Sequence, residues 1–532
     1  MANCNYYIDP NHNNARFAEP EELEQDYVWV DLKDKKKGKK AAGICVSVKY
    51  DKQGNVKEAL IDSSESNTLI VSNTGSGKTR RVLSPYILSC IKALESFVCH
   101  DPKGELYMFF IELLKQYGYD IFVINLREPF KGHRFNILQK AAQLYKDGNE
   151  DRALEIASNI AESIYSVIVD KQDPYWTEVA KSLFLCYFIM AVDLYPPEEV
   201  SLKTIYRVHI EGMLKVGSSS ALAVYLDAHK NSKAYEHGIY TVTAPNDTRN
   251  SIFAVFSGGI SRLIINDAIS DTLSDSSLGI ENISNDKKPT AVFIVTRDEA
   301  PGTYSTVVAS IINLIYTSLI DQAQSREGLC LPRRVHFILE EFGNIAPLNN
   351  INNMLTASRS RGIRIVAVVQ SLSQLDLIYD EKMSRNLIGN FHNLIYMNST
   401  DMELVEIISK RCGTYINPYT NSSEPLLSPN FLTHLDKKRG ETLMLMDRNY
   451  PYIAYLPDMS CYTDIVPISS FDVEEREAQE KQYGKLTQYA KEALSRGTDG
   501  QKNADSFGRG LSKEARDKKL KIMEMIIESD KE

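Results

Sequence analysis

The stretch Thr68 to Arg80, TLIVSNTGSGKTR, constrains this chain more than any other. An apolar run, Thr68 to Val71, stops at Asn73-Thr74-Gly75-Ser76-Gly77-Lys78-Thr79, and a helical spacing starts at Arg80 and passes through Val82, Leu83, Tyr86 and Ile87. Strand, glycine loop and helix in that order form the context a phosphate-binding loop requires, although a Gly-Lys turn between two ordinary elements would read the same way locally. Gly75 and Gly77 let the backbone turn its N–H groups toward the β- and γ-phosphates, where the helix N-terminus adds partial positive charge. Lys78 brings a point charge to those phosphates, and the Thr79 hydroxyl is placed to ligate Mg²⁺. ATP and Mg²⁺ are therefore the expected cofactors, held along Asn73, Thr74, Gly75, Ser76, Gly77, Lys78 and Thr79. The motif G-x-x-x-x-G-K-[ST] wants glycine at position 72, where Ser72 stands, so loop closure there must accommodate a Cβ.

The remaining apolar segments say what surrounds this loop. Ser96 to Cys99, Ile121 to Ile124, Ala291 to Val295, Val335 to Leu339, Ile363 to Val369, Leu394 to Met397 and Leu443 to Met446 are short, β-rich and continuous. They do not alternate, so both faces should be buried, as in a parallel sheet covered by helices. Upstream, Gly43 to Tyr50 and Val56 to Ile61 flank Asp51-Lys52-Gln53-Gly54-Asn55 as a hairpin. The expected fold is α/β: a P-loop, RecA-like nucleotide-binding domain with a mainly parallel sheet. Between about Asn125 and Ala291 the pattern turns helical. Asp173-Pro174 offers a cap and a first-turn proline before Val179, Leu183, Cys186, Tyr187 and Met190, and Leu154 to Ile168, Ala221 to Lys230 and Ser251 to Ile265 read similarly. This predicts an inserted all-helical domain, giving 1–40 as a polar segment, 41–140 and 286–470 as the two parts of the nucleotide-binding domain, 141–285 as the insertion and 471–532 as a charged extension.

A chain of 532 residues exceeds one compact core. Its formal charge of -9 excludes nucleic-acid binding by bulk charge and leaves it to local basic patches. The lysines 33, 35, 36, 37, 39 and 40 are such a run, read as a solvated loop or as a patch for anionic lipid or nucleic acid. The eight cysteines include no C-x-x-C pair and read as buried thiols of a reducing compartment. The polar start MANCNYYIDPNHNN has no signal-peptide pattern, and the longest apolar helical run, Leu183 to Val192, is about half of what a bilayer requires. No membrane crossing is expected. Near the end, Ser512 to Ile527 is amphipathic, either a packed terminal helix or a docking helix for a partner.

The second half of the site is expected where Val335 to Leu339 ends in Glu340-Glu341-Phe342-Gly343-Asn344. Carboxylates at the C-terminal tip of a buried strand beside the phosphate strand lie where open parallel sheets bind ligands. Glu340 is placed to hold Mg²⁺ and Glu341 to orient and deprotonate an attacking water; the competing reading is that both cap the next helix. Gln370, ending Ile363 to Val369, is placed to reach the γ-phosphate or its water.

Several motifs in order carry a family resemblance. After the phosphate loop come Asp101-Pro102-Lys103-Gly104-Glu105-Leu106, Phe135-Asn136-Ile137-Leu138, and Trp176 with Ala180 and Leu183. Then follow Val335 to Phe342 and Ser358-Arg359-Ser360-Arg361-Gly362-Ile363-Arg364, leading to Gln370-Ser371-Leu372-Ser373-Gln374-Leu375. Over roughly Asn67 to Pro457 the chain resembles the TraG-type coupling proteins of type IV secretion and conjugation, within the FtsK and HerA lineage of ring translocases.

The resemblance implies a homo-hexameric ATPase, cytoplasmic and peripheral at the inner face of the cell membrane. It would pass single-stranded DNA with its bound relaxase, or secreted protein, to a membrane protein of the secretion channel. It also implies that Arg359 enters the neighbouring subunit's site, with Arg361 the nearest competitor. Alternatives are a nucleotide-binding receptor with little hydrolysis and a chromosomal DNA translocase. Three departures stand out: Ser72, Glu340 where the family usually has Asp, and the lack of the family's membrane-spanning start.

Overall fold

The computed structural model describes residues 15–32, 41–165, 174–264, 266–297, 301–348, 351–417, 419–447, 449–463, 465–479 and 481–496. The lysine run, Cys4, Asp173 and the Ser512 to Ile527 segment lie outside these residues. Contacts divide the chain into two compact units: residues 1–132, 279–308 and 315–474, and residues 133–278, 309–314 and 475–532.

In chain order the strands are β1 Val28–Val30, β2 Ile44–Tyr50, β3 Val56–Asp62, β4 Thr68–Ser72, β5 Ser96–His100, β6 Asp120–Asn125, β7 Lys215–Val216, β8 Ser219–Ser220, β9 Thr290–Val295, β10 Val335–Leu339, β11 Ile363–Val369, β12 Asn393–Asn398, β13 Thr414–Ile416, β14 Ser423–Pro425, β15 Glu441–Leu445 and β16 Tyr452–Tyr455. The first unit is built on a nine-stranded sheet, β16-β15-β12-β4-β11-β10-β5-β9-β6. From β12 to β6 every pairing is parallel, and β15 and β16 close one edge antiparallel. Every residue of β4, β5, β9, β10 and β11 is buried, which is why their apolar runs are continuous. The β2–β3 hairpin belongs to a separate antiparallel sheet, β1-β3-β2.

The order corrects one expectation: the strand bearing the acidic pair does not flank the phosphate strand, because β11 lies between them. Register still brings their ends together, with Leu339 opposite both His100 and Ala367, and Val369 opposite Val71. The phosphate loop, Gln370, the acidic pair and Asp101 therefore all leave the sheet at one edge. Asn67 fixes the opposite edge: its amide donates to the Leu355 carbonyl at 2.7 Å and the Ser358 hydroxyl at 3.1 Å, and accepts the Ile365 N–H at 2.9 Å.

Two further expectations need correction. Among the described residues one helical segment, Tyr304–Gln324, is long and apolar enough to cross a bilayer, with mean hydropathy 1.3, but 61% of its apolar window is buried in the protein as in a core helix. It is longer than Leu183 to Val192, the run expected to be the longest. Among the cysteines, 45, 90, 99, 186 and 412 are buried, whereas Cys330 is exposed and Cys461 half-buried.

Among its described residues the second unit is helical apart from the β7–β8 ribbon and its connecting loops. Its longest helix, Tyr175–Leu194, buries Leu183, Phe184, Tyr187 and Phe188 completely. The Phe135 to Leu138 motif is a staple here: Asn136 donates to the Val200 carbonyl at 2.8 Å and accepts the Leu138 N–H at 3.0 Å. The chain after Glu475 joins this unit. Asp271 pairs with Arg134 and Arg476, and Glu211 accepts the N–H groups of Gly484 and Thr487 at the start of the Lys485–Arg496 helix.

Candidate nucleotide site

Gly75 and Gly77 have φ of 77° and 91°, the left-handed region where a Cβ is strained, so the loop's turn depends on them. Ser72 is completely buried as the last residue of β4, where its Cβ meets no such restriction. The helix after the loop starts one residue earlier than its apolar spacing suggests and opens with a π-helical turn, Thr79–Leu83, before the α-helix Ser84–Ala93. Local π turns of this kind recur at functional sites. Lys78 is buried at the head of that turn.

Glu340 is buried beyond the end of β10, and its carboxylate accepts the Thr79 hydroxyl at 2.5 Å. The glutamate's additional methylene does not carry it past the loop. Burial pushes the Glu340 carboxyl upward, opposed by the Thr79 hydrogen bond and the Lys78 ammonium. Asp101, at the tip of neighbouring β5, is completely buried, and burial with the nearby Glu340 charge raises its carboxyl to about 8. One Asp101 oxygen accepts the Tyr107 N–H at 2.8 Å, while the other is buried without a partner among the described residues. Sequence reasoning quoted Asp101 within a motif but gave it no role; its position directly after a buried strand was the available signal.

Glu341 follows at the head of a short 3-10 turn, Phe342–Asn344, and its carboxylate accepts the Asn344 amide at 2.7 Å instead of capping the turn. With His100, Lys103, Arg297 and Tyr304 it lines a cavity of about 220 Å³, room for several waters. Gln370 accepts the Thr74 hydroxyl at 3.3 Å, joining the tip of β11 to the phosphate loop. Its own N–H donates to Gln374, whose side chain closes on Gly343 of the acidic turn.

Arg359 is not in this cluster. It stands in the Arg359–Arg361 turn before β11, at the opposite end of a strand about 23 Å long, exposed and without a hydrogen bond or ion pair among the described residues. Arg361, by contrast, donates to the Leu329 carbonyl at 2.9 Å.

The residues present fit a nucleotide and a divalent cation. Three features make the fit: the glycine cradle, the Thr79–Glu340 contact, and the buried Asp101 oxygen that has no partner among the described residues.

Comparison with known proteins gives the family and the fold. The family described as type IV secretory system conjugative DNA transfer matches residues 25–446. VirD4 of Agrobacterium fabrum is 24% identical over 360 residues, 67% of this chain and 51% of the relative. Coupling protein TraD of Escherichia coli is 22% identical over 191 residues, 35% of this chain and 25% of that protein. The chain thus spans about half the length of the curated VirD4 relatives it matches. Among solved structures, conjugative coupling protein TrwB in complex with sulphate superposes with a TM-score of 0.61 at 15% identity, covering 87% of this chain and 97% of TrwB. TrwB in complex with ADP and Mg²⁺ gives 0.60 at 16% identity, covering 88% and 95%. These two likenesses establish the fold.

Proposed function

Because the chain belongs to the type IV secretory system conjugative DNA-transfer family, and is thus a type IV coupling protein, we propose that it hydrolyses ATP to drive single-stranded DNA with bound relaxase, or secreted protein, into the channel. The observation that carries the reading is the 2.5 Å contact between Thr79 and Glu340, which joins the two halves of the site across sequence. Asn73 to Lys78 would hold the phosphates, and Thr79 and Glu340 would hold Mg²⁺, which supplies charge neutralisation at the phosphate oxygens when bound. Glu341 accepts the proton of the attacking water, drawn from the adjoining cavity, and Gln370 aligns that water from the neighbouring tip. Arg359 completes the site of the next subunit in a ring, since β11 holds it far from its own. The ring works at the inner face of the cell membrane, beside a membrane protein of the channel.

The test is ATP turnover by the full chain with single-stranded DNA, alongside electron-microscopic imaging with a non-hydrolysable nucleotide. Rings and DNA-stimulated turnover that Glu341→Gln abolishes support the motor. Binding without turnover, at concentrations where rings assemble, would leave a nucleotide-binding receptor instead.

A further inference from the structure

One cation near the phosphate loop has no role in the mechanism above. The turn from Asp436 to Gly440 precedes β15, and Lys437 on it is exposed. Its ammonium lies 4.0 Å from where a Cβ on Gly75 would stand, and no hydrogen bond or ion pair engages it among the described residues. Gly75 belongs to the segment whose N–H groups would face the nucleotide phosphates, so the ammonium stands next to that loop.

The turn that carries Lys437 is tightly built. Asp436 accepts the N–H groups of Lys438 at 2.8 Å and Arg439 at 3.3 Å, and its own N–H donates to the Glu441 carboxylate at 2.9 Å. The Gly440 N–H closes back on the Lys437 carbonyl at 3.1 Å. Gly440 has φ of 72°, and a Cβ there would stand 2.1 Å from the Leu456 carbonyl oxygen, so the close approach of β15 and β16 at this point requires glycine. Both arginines after Thr79 hold the same place: Arg81 donates to the Leu456 carbonyl, and Arg80 forms a two-pronged pair with Asp458 at 2.7 and 2.5 Å. The first turn of the phosphate-loop helix is thereby clipped to the antiparallel edge of the sheet. A lysine on an untethered loop would be only a solvated charge; here the backbone beneath it is fixed to the element it faces.

We propose that Lys437 is a second, same-subunit cation for the nucleotide polyphosphate, closing over the loop opposite Lys78 and favouring the triphosphate over the diphosphate. This rests on the nucleotide-site reading above. The test is the affinity of the full-length protein for a fluorescent non-hydrolysable ATP analogue and for fluorescent ADP, measured at fixed salt with melting curves taken without nucleotide. Lys437→Ala should weaken the ATP analogue about three- to tenfold and ADP less, Lys437→Glu should weaken both further, and Lys437→Arg should restore most of the affinity. Lys438→Glu, one residue along, is the control for general surface charge. Wild-type affinity in Lys437→Glu, while Lys78→Ala loses binding, overturns the proposal and leaves the site intact. An equal loss in Lys438→Glu also overturns it, reducing the effect to net charge. If Lys78→Ala binds normally, the nucleotide-site reading itself fails.

Discussion

Strand β10 buries a titratable group near each end, and the two are treated differently. Near its start, His336 has both ring nitrogens engaged, by the Tyr86 hydroxyl at 2.6 Å and the Glu95 carboxylate at 2.6 Å. Just beyond its other end, the Glu340 carboxylate accepts the Thr79 hydroxyl, beside an Asp101 oxygen and a His100 ring nitrogen that are buried without partners among the described residues. Burial costs both ends free energy, but only the first recovers it within the protein. On the proposed function, the atoms left unpaired beside Glu340 are those that a phosphate and its cation would meet. On that proposal the His336 pairing holds the fold and the Glu340 end receives the ligand, although Arg364, opposite His336 on β11, also buries two guanidinium nitrogens without a partner among the described residues.

Four measurements can break or sharpen that contrast. The largest effect should come from a residue that crosses it. Arg359 stands at the His336 end of the sheet yet is exposed and unpaired among the described residues, so on the proposed function Arg359→Ala should lower turnover about 10³- to 10⁵-fold while leaving nucleotide affinity and melting temperature unchanged. Mixed rings with Glu341→Gln subunits would then regain part of the activity, and no regain would assign Arg359 to the surface. Next, Glu341→Gln alone should cost turnover about 10²- to 10⁴-fold with nucleotide still bound.

On the other edge, Tyr86→Phe leaves a His336 nitrogen unpaired. It should cost about 1–3 kcal/mol in denaturant unfolding, with turnover per folded molecule preserved; a turnover defect would erase the distinction between the two edges.

The last effect is a slope, small per pH unit. Asp101 holds its proton up to about 8 in the folded protein against a usual value of 3.8, so the folded state binds the proton more tightly. The resulting stability is complete below the usual value and lost as pH rises toward 8. Unliganded protein should therefore lose stability across that window by up to about 1.4 kcal/mol per pH unit, and Asp101→Asn should flatten the curve.

Much of this was legible in residue order because it is local. The β10 and β11 boundaries coincide with their apolar runs, since both strands are buried on two faces. The phosphate loop was legible because its chemistry and its turn need the same glycines. What escaped depends on pairing across long stretches of chain. The sheet order that inserts β11 between β4 and β10 has no local signature, and β16 is a short edge strand with only half its residues buried. The segment after Glu475 looked weakly patterned because its order comes from Asp271 and Glu211, far upstream. The Arg80–Asp458 clip and the approach of Lys437 to Gly75 were invisible for the same reason.

The interposed strand β11 has one more implication. It is bonded to a neighbour on each side, so it can neither stretch nor slide independently, and it ends in Gln370 at one tip and begins just after Arg359 at the other. In the proposed ring, a displacement felt by the glutamine when a phosphate departs would be delivered, as through a stiff axle, to the arginine. Were such subunits arranged in a circle, the order in which pockets fire would be written into a single piece of backbone, with no flexible relay between them.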